Sequence, residues 1–448
     1  MILKIILIAI MVIHTIFDFI LRSIAIKHRE LPLPEEVSDI YSEERFQKFK
    51  AYKKDYLFPG IFQSLLSLIV DIVIIVSPFY FLMERLGRNN IYLIFIVTLL
   101  ITSLIEEIVN LPFDYYATFV IEEKYGKNKK TPLIFFKDEC LGFVSNLVIM
   151  CVIVLPLTAL VLHLIHHTAL TSFTLTNSIL FTLILAVGIG VVMLIAMGLS
   201  YIVLNIQYKF TDLEDGELKD KIIYLMRDSK KKVKHIKVYN ESKKSTGKNA
   251  FLLKMLWYRE FGIADNFINE NDEDELLAVL SHEIGHLKHK KNIYNYLRYI
   301  FISMLLIVLI VVLTHLPFFN KLYIYFLQAF NIKTLNILLL GEVIVTLLRP
   351  VMRMLSIFNN YVSRKEEYEA DDNAVKEGYG EALIQTFKTL SSDELVDVNP
   401  APTIEFIEFD HPGMYNRIHH IHQQIQEKNL NKEETYGQND IQTYSHKS

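Results

Sequence analysis

Cysteine and charge are both scarce in this sequence. Its 448 residues include two cysteines, Cys140 and Cys151, which match no metal-ligand spacing and make a disulfide framework implausible, so both are interpreted as packing residues. Charged residues make up only 21% of the chain and the net charge is -4, so nothing indicates a nucleic-acid partner. Hydrophobic residues make up 52% and occur in long blocks, which argues against a soluble protein.

Seven of these blocks are candidates for membrane helices, each of which needs about 20 apolar residues to cross the hydrocarbon core. They run approximately over 2–21, 61–83, 91–109, 141–164, 179–204, 297–313 and 322–348. The first block could instead be a secretory signal peptide, but it is long and no small-residue cleavage site follows it. The last block is the weakest, because Gln328, Asn331 and Lys333 interrupt it and leave only 337–348 as a continuous apolar run.

Lysine and arginine are distributed unequally between the loops, and this asymmetry predicts the orientation of the chain. The loop after the first block is rich in both residues and the loop after the third is rich in lysine, whereas the loop at 165–177 contains neither residue. We therefore expect the N-terminus outside and the odd-numbered spans ending on the cytoplasmic side. The membrane would be the endoplasmic reticulum in a eukaryote and the plasma membrane in a prokaryote.

The spans divide the chain into membrane and soluble parts. Residues 1–206 would form five membrane helices with cytoplasmic loops, and 297–348 would form helices six and seven. The stretches 207–296 and 349–428 would be soluble and cytoplasmic. The polar segment 429–448 lacks apolar periodicity and is predicted to be a disordered tail.

The first soluble stretch contains the motif HEIGH, which carries the strongest chemical signal. Asp272 and Glu275 have the spacing of a capping box, which marks the start of a helix. On that helix His282 and His286 lie one turn apart on the same side, where two neutral imidazoles can bind one zinc ion. Glu283 lies beside them and can accept a proton from the attacking water. An apolar stripe predicts one buried face of this helix: Leu276, Leu280, Ile284 and Leu287.

A catalytic zinc ion usually has three protein ligands and one open position, so a third ligand must come from elsewhere. The segment SRKEEYEADDNA, residues 363–374, offers Glu367 and Asp371 one helical turn apart. Glu367 can be the third ligand, and Asp371 can accept a hydrogen bond from a ligating histidine. Taken alone, this segment fits a solvated acidic helix face better. However, two spans separate it from HEIGH, so both segments emerge on the same side of the membrane.

HEIGH followed by EYEAD, in a chain with these spans, resembles the integral-membrane gluzincin endopeptidases, and within them the type I CAAX prenyl proteases. The segment NLPFDYYATFVIEEKYGKNKKT, residues 110–131, closely resembles that family's sequence after its third span, and the similarity continues to about Gln424. The resemblance implies one zinc ion per chain with Glu367 as the third ligand. It also implies that Asp371 supports the site from outside the ligand set.

The resemblance assigns further roles outside these two motifs. An HP-x4-R element in DHPGMYNR matches His411, Pro412 and Arg417, and it implies that His411 lies near the developing oxyanion and that Arg417 supports the site. The alternative is that Pro412 merely opens a surface helix. A sequence similar to the family's edge strand, along which a substrate peptide can pair, consists of Asn249, Ala250 and Phe251.

Three classes of function fit these features. They are a protease that processes prenylated CAAX-type C-termini, a quality-control protease for damaged membrane proteins, and a non-enzymatic transporter or channel with a structural metal. Glu283 argues against the third, because a structural site fills all four positions and needs no base. Glu369 leaves the first two open, because the prenyl-protease branch usually has Gln there and related bacterial proteases often have Glu.

The sequence thus predicts an all-α polytopic membrane protein with about seven membrane helices and a small α+β zinc-metalloprotease portion. The expected reaction is peptide-bond hydrolysis by a zinc endopeptidase. Its expected partners are a peptide or protein substrate, prenylated in the first class, and the lipid bilayer.

Overall fold

The structure, a computed structural model, describes residues 2–167, 175–227, 233, 235–247, 249–255, 258–270, 272–288 and 317–445. It is mostly helical with one small sheet, which confirms the predicted fold class. The predicted sixth span, 297–313, lies outside the described residues.

The N-terminal half consists of helices, most of which are long and apolar. In chain order they are α1 (Ile2–His28), α2 (Glu43–Asp55), α3 (Leu57–Val76), the short α4 (Phe79–Leu86), α5 (Ile91–Tyr116, continued as a π-helix over Ala117–Glu122), α6 (Pro132–His167) and α7 (Leu175–Gln207). Across the described residues, five helical stretches are long and apolar enough to cross a membrane. Many of their large apolar side chains are exposed on the protein itself, as Phe58 and Ile108 are, and a lipid-facing surface needs such side chains.

The predicted seventh span, 322–348, is two helices rather than one. α11, the helix Pro317–Phe330, ends before a polar turn, and α12, the helix Ile337–Glu377, begins after it. The helices α8 (Glu217–Leu225), α9 (Asp265–Glu270) and α10 (Glu273–Lys288) lie between α7 and α11 in the chain. Because the apolar run is broken, and because 297–313 is not described, the predicted count of seven spans is not confirmed.

Polar side chains explain the break. Asn331 adopts a left-handed conformation with a φ of 54°, which ends the helical path. The buried carboxylate of Glu84 accepts hydrogen bonds from the backbone N–H groups of Lys333, at 2.8 Å, and Thr334. Asn336 then caps α12 by accepting from the backbone N–H of Leu339 at 3.1 Å. Two of the three residues that interrupt the apolar run, Asn331 and Lys333, therefore lie in the turn.

Helix α12 continues for 41 residues, from the apolar segment through the acidic motif at 363–374. The boundary predicted at 348/349 therefore falls inside a single helix. Its length is about 60 Å at a rise of 1.5 Å per residue. It ends at Gly378, whose φ of +100° gives the left-handed conformation that a helix C-terminus commonly requires.

A four-stranded sheet lies in the first soluble stretch. Its strands are β1 (Phe210–Asp212), β2 (His235–Tyr239), β3 (Ala250–Met255) and β4 (Tyr258–Ala264), in the order β1-β2-β4-β3. β2 and β4 are parallel, and the other two pairs are antiparallel. β3 is therefore an edge strand within the described sheet.

Three helices accompany the sheet: α8 (Glu217–Leu225), α9 (Asp265–Glu270) and α10 (Glu273–Lys288). The predicted apolar stripe of α10 is confirmed, because all four of its residues are buried in one cluster with Phe261 and Ile263 of β4. Asp272 precedes the first turn, as the capping pattern predicts, and its carbonyl accepts from the backbone N–H of Leu276 at 3.1 Å. Helix α10, which carries HEIGH, is thus packed against the sheet.

The C-terminal helices are α13 (Gly380–Asp393), α14 (Pro402–Glu408) and α15 (Met414–Ser445). Ile418 and Ile421 of α15 are fully buried in a core that also contains Phe49 of α2 and Ile121. This core joins the soluble portion to the ends of the membrane helices. α15 continues over most of 429–448, where the sequence predicts a disordered tail, and its Gln, Glu and Lys residues are good helix formers despite their polarity.

Candidate metal centre

Helices α10 and α12 approach each other closely at Gly285, the fourth residue of HEIGH. A Cβ atom added there would lie 2.8 Å from Cα and 3.1 Å from the carbonyl oxygen of Ala370 on α12. Any side chain at this position would therefore push the helices apart. The buried amide of Asn373 donates to the carbonyl of Ser281 at 2.7 Å and fixes the two helices in register.

This approach brings His282, His286 and Glu367 together. One ligand atom from each lies within 4.8 Å of the others. Nε2 of His282 is 3.4 Å from one carboxylate oxygen of Glu367, and Nε2 of His286 is 3.3 Å from the other. Two imidazole nitrogens and one carboxylate oxygen are the donor set of many catalytic zinc sites, so these residues fit a single ion.

Asp371 lies directly behind the histidines and is fully buried. One of its carboxylate oxygens accepts a hydrogen bond from Nδ1 of His282 at 2.8 Å. With a proton on Nδ1, the lone pair of Nε2 is directed toward the metal position. The predicted partnership between Asp371 and a ligating histidine is therefore present in the structure.

Arg417 of α15 holds Asp371 through two charge-assisted hydrogen bonds. Its Nη2 and Nε donate to the two carboxylate oxygens at 2.6 and 3.0 Å. The guanidinium also lies 4.2 Å from the ring centroid of Phe387, which packs against its face. The C-terminal helix thus contributes to a site whose ligands lie on α10 and α12.

The ionisable groups of the centre shift one another's pKa values. Burial favours neutral His282, but its hydrogen bonds to Asp371 and Glu367 outweigh burial and raise its pKa to about 9. Burial likewise opposes ionisation of Glu367, yet His282, His286 and Arg417 together hold the pKa of its carboxyl well below the usual range. The carboxylate is thus ionised, and a bound cation would replace the histidine proton.

His411 lies at the rim of the centre, between α14 and α15. Its Nε2 is 3.4 Å from Glu367, and its Nδ1 is 2.8 Å from the carboxylate of Asp410. Its side chain is 56% exposed, so the ring is accessible from outside while it contacts a ligand residue. Pro412 precedes α15, which begins at Met414. The HP-x4-R element brings both His411 and Arg417 to Glu367, at 3.4 and 3.6 Å from its two carboxylate oxygens.

Two family models match the chain. The CAAX prenyl protease N-terminal domain, described as five membrane helices, matches residues 23–205, and peptidase family M48 matches residues 212–425. The chain belongs to peptidase family M48. It is therefore a multi-pass membrane metallopeptidase, which confirms the predicted family and enzyme class.

Relatives of this M48 peptidase match most of its length. The CAAX prenyl protease 1 homolog of Arabidopsis thaliana is 26% identical, over 92% of this chain and 95% of that protein. CAAX prenyl protease 1 of Saccharomyces cerevisiae is also 26% identical, over 88% and 89%. The crystal structure of S. mikatae Ste24p superposes with a TM-score of 0.79 at 26% identity, covering 94% of this chain and 98% of that one.

The M48 peptidase also holds the segment bearing His411 through residues that the sequence did not indicate. Arg364 donates from Nη1 to the backbone carbonyls of Glu405, at 2.9 Å, and Phe409. Asn360 donates to the carbonyl of Ile407 at 3.1 Å. These carbonyls lie at the end of α14, where cationic donors are favourable. Arg364 lies one turn before Glu367, which was the only local signal for such a role.

The candidate substrate strand lies at the edge of the sheet, but some of its side chains pack against the core. Phe251 packs against Tyr239, with ring centroids 5.4 Å apart, and across Gly262, where a side chain would overlap its ring. Ala250 is buried, and the carbonyl of Asn249 accepts from the backbone N–H of Ala264 at 2.9 Å. The side chain of Phe251 thus packs against the core, and pairing with a substrate along this strand would use its backbone.

Substitution of Gly285 by Ala should damage the metal centre without touching a ligand. The added methyl group forces α10 away from Ala370, so metal content should fall and the free energy of unfolding should decrease by about 1–3 kcal/mol. Elemental analysis and thermal melting measure both effects. Gly341→Ala is the matched control, because that glycine of α12 has open space around it. Wild-type metal content in Gly285→Ala would show that close approach is not required.

Proposed function

We propose that this peptidase uses one zinc ion, bound by His282, His286 and Glu367, to hydrolyse peptide bonds near the C-terminus of prenylated CAAX-type proteins. The observation that carries the proposal is the convergence of these three ligands beside Glu283, on helices tied to the membrane portion. Similarity to CAAX prenyl proteases over nearly the whole chain supports this substrate class. We place the reaction on the cytoplasmic side, on the evidence of the basic loops.

Glu283 is the proposed catalytic base. When bound, the zinc ion supplies a Lewis acid that polarises the scissile carbonyl and the attacking water. Glu283 follows His282 on α10 and is only half-buried, so it can reach a water molecule at the metal position. It accepts the water proton and returns it to the leaving amine. Asp371 and Arg417 keep His282 in the tautomer that this arrangement requires.

His411 is the proposed oxyanion donor. Asp410 accepts a hydrogen bond from Nδ1 and orients the ring, which leaves Nε2 beside the ligands. In the doubly protonated ring, Nε2 donates to the oxygen that becomes negative when water attacks the carbonyl. Arg364 and Asn360 position this histidine by holding the backbone at the end of α14.

Replacement of Glu283 by Gln should abolish hydrolysis while metal content stays at the wild-type level, because the base is lost and every ligand remains. Replacement of Glu367 by Ala should lower zinc affinity by at least about tenfold, because one ligand is lost. Elemental analysis and peptide hydrolysis separate the two effects. Glu381→Ala, an exposed carboxylate on α13, serves as control. Full zinc occupancy in Glu367→Ala would remove that residue from the site.

A double-mutant cycle tests the positioning role of Arg364. His411→Ala should lower the turnover number by about a hundredfold with little change in the Michaelis constant, because the donor acts only in the transition state. Arg364→Ala should lower the turnover number in the wild-type background and have little further effect in the His411→Ala background. Lys365→Ala, the exposed neighbour, should match wild type. Fully additive losses would assign Arg364 to general stability instead.

Matched peptides with and without a farnesyl group test the substrate class. Burial is worth about 0.8 kcal/mol per methylene, so even partial burial of the lipid should raise kcat/KM by roughly tenfold or more. The full-length enzyme in liposomes should receive both peptides and an unfolded membrane protein, with Glu283→Gln as the control for contaminating proteases. Equal rates on both peptides, with comparable cleavage of the unfolded protein, would favour the quality-control function that Glu369 leaves open.

A further inference from the structure

A pocket lies where α1, α2 and α3 meet, and none of the metal ligands lines it. Its volume is about 410 Å³, and it is lined by Arg22, Arg29, Tyr52, Lys53, Tyr56, Leu57 and Gly60. Three of these residues are cations, and the lining contains no carboxylate. The pocket therefore combines a concave shape with positive charge.

Two of the three cations lack a neutralising partner among the described residues. Arg29 is paired with Asp397 at 2.7 Å, but Arg22 donates only to the neutral hydroxyl of Ser64 at 3.2 Å. The ammonium group of Lys53 lies 5.9 and 5.2 Å from the ring centroids of Phe49 and Tyr52. Among the described residues, Lys53 forms no ion pair within 4.0 Å.

The nearby carboxylates offset only part of this charge. Glu122 accepts hydrogen bonds from the hydroxyl groups of Tyr52, at 2.6 Å, and Tyr56. Glu394 is paired with Lys127, and Asp397 with Arg29. Glu122 keeps its negative charge, so three carboxylates face the four cations Arg22, Arg29, Lys53 and Lys127, and a net positive charge remains for an anion that enters the pocket.

The shape of the pocket suits a guanidinium-bound phosphate. A Cβ atom at position 60 would lie 3.3 Å from Nη1 of Arg22, so Gly60 leaves the guanidinium room against α3. Arginine binds phosphate oxygens through two parallel N–H donors, which a point charge such as lysine cannot do. Lys53 adds a second charge from α2 on the same pocket.

The position of the pocket along the helices favours a lipid as the source of the phosphate. Arg22 directly follows the apolar run of α1, and Leu57 begins the apolar run of α3. Just inside these points, Ile20 and Phe58 expose 52% and 72% of their surface, which suits contact with acyl chains. Basic pockets between membrane helices commonly bind anionic headgroups on the leaflet that carries them.

We propose that the pocket formed by Arg22, Lys53 and Gly60 binds the phosphate group of an anionic phospholipid. The lipid joins α1, α2 and α3 at the level of the headgroups. This binding is independent of peptide hydrolysis, so its test does not depend on the proposed substrate.

Native mass spectrometry of the delipidated full-length protein, titrated with phosphatidylglycerol or phosphatidylcholine, tests the proposal. The wild-type protein should bind phosphatidylglycerol at least tenfold more tightly than phosphatidylcholine. The variant Arg22→Gln with Lys53→Gln should lose most of this difference. The control Lys27→Gln with Lys48→Gln removes the same charge from exposed positions of the same two helices and should keep it.

Three outcomes would overturn the proposal. An equal loss in the control variant would show diffuse charge attraction. Equal binding of both lipids would show no selectivity for an anionic headgroup, because both lipids carry a phosphate and differ in net charge. Competition by inorganic phosphate at the same concentration as the lipid would identify a free-anion site. If the double variant loses helical structure, Lys53→Gln alone should still weaken phosphatidylglycerol binding at least threefold, whereas Arg22→Lys should retain part of it.

Discussion

The close packing of α10 against α12 at Gly285 is the constraint on which the metal centre depends. Both histidine ligands lie on one helix and the carboxylate ligand on the other, so the separation of the two helix axes sets the distance between donor atoms. Side chains on two helices normally hold the axes about 8–10 Å apart. Glycine opposite Ala370 removes this spacer where the ligands must converge. A residue inside HEIGH that carries no chemistry therefore controls the geometry of those that do.

Asp371 and Arg417 extend this constraint to the C-terminal helix. Taking two charges out of water is costly, and the pair is tolerated because two short hydrogen bonds and the imidazole of His282 satisfy the carboxylate. Removal of either partner would leave a buried, unpaired charge. The ion pair thus links the docking of α15 to the orientation of a metal ligand. The segment that bears HEIGH and the C-terminal segment therefore act as one unit.

Features carried by local pattern were predictable from the sequence. The helix that bears HEIGH, its buried apolar stripe and the helical spacing of Glu367 and Asp371 all follow from periodicity within one segment. The partnership of Asp371 with His282 was also predictable, because helical spacing allowed only a few geometries.

Features carried by polar contacts between distant segments were not predictable. Glu84 ends α11 by binding backbone groups at 333 and 334, far away in sequence. Arg364 and Asn360 reach carbonyls about 40 residues later. Such hydrogen bonds produce no periodic pattern in the sequence. A single helix such as α12 is likewise predicted as two segments when its apolar and acidic parts differ in composition.

Helix α12 also fixes the distance between the bilayer and the metal ligands. Arg349, near the end of its apolar part, and Glu367 are separated by about 27 Å at 1.5 Å per residue. A helix shifts or tilts when its apolar length does not match the thickness of the hydrocarbon core. Because α12 is continuous between these points, such a shift moves the metal ligands relative to the membrane surface. For the proposed prenylated substrates, bilayer thickness would therefore set how far from the lipid anchor a peptide can reach the metal.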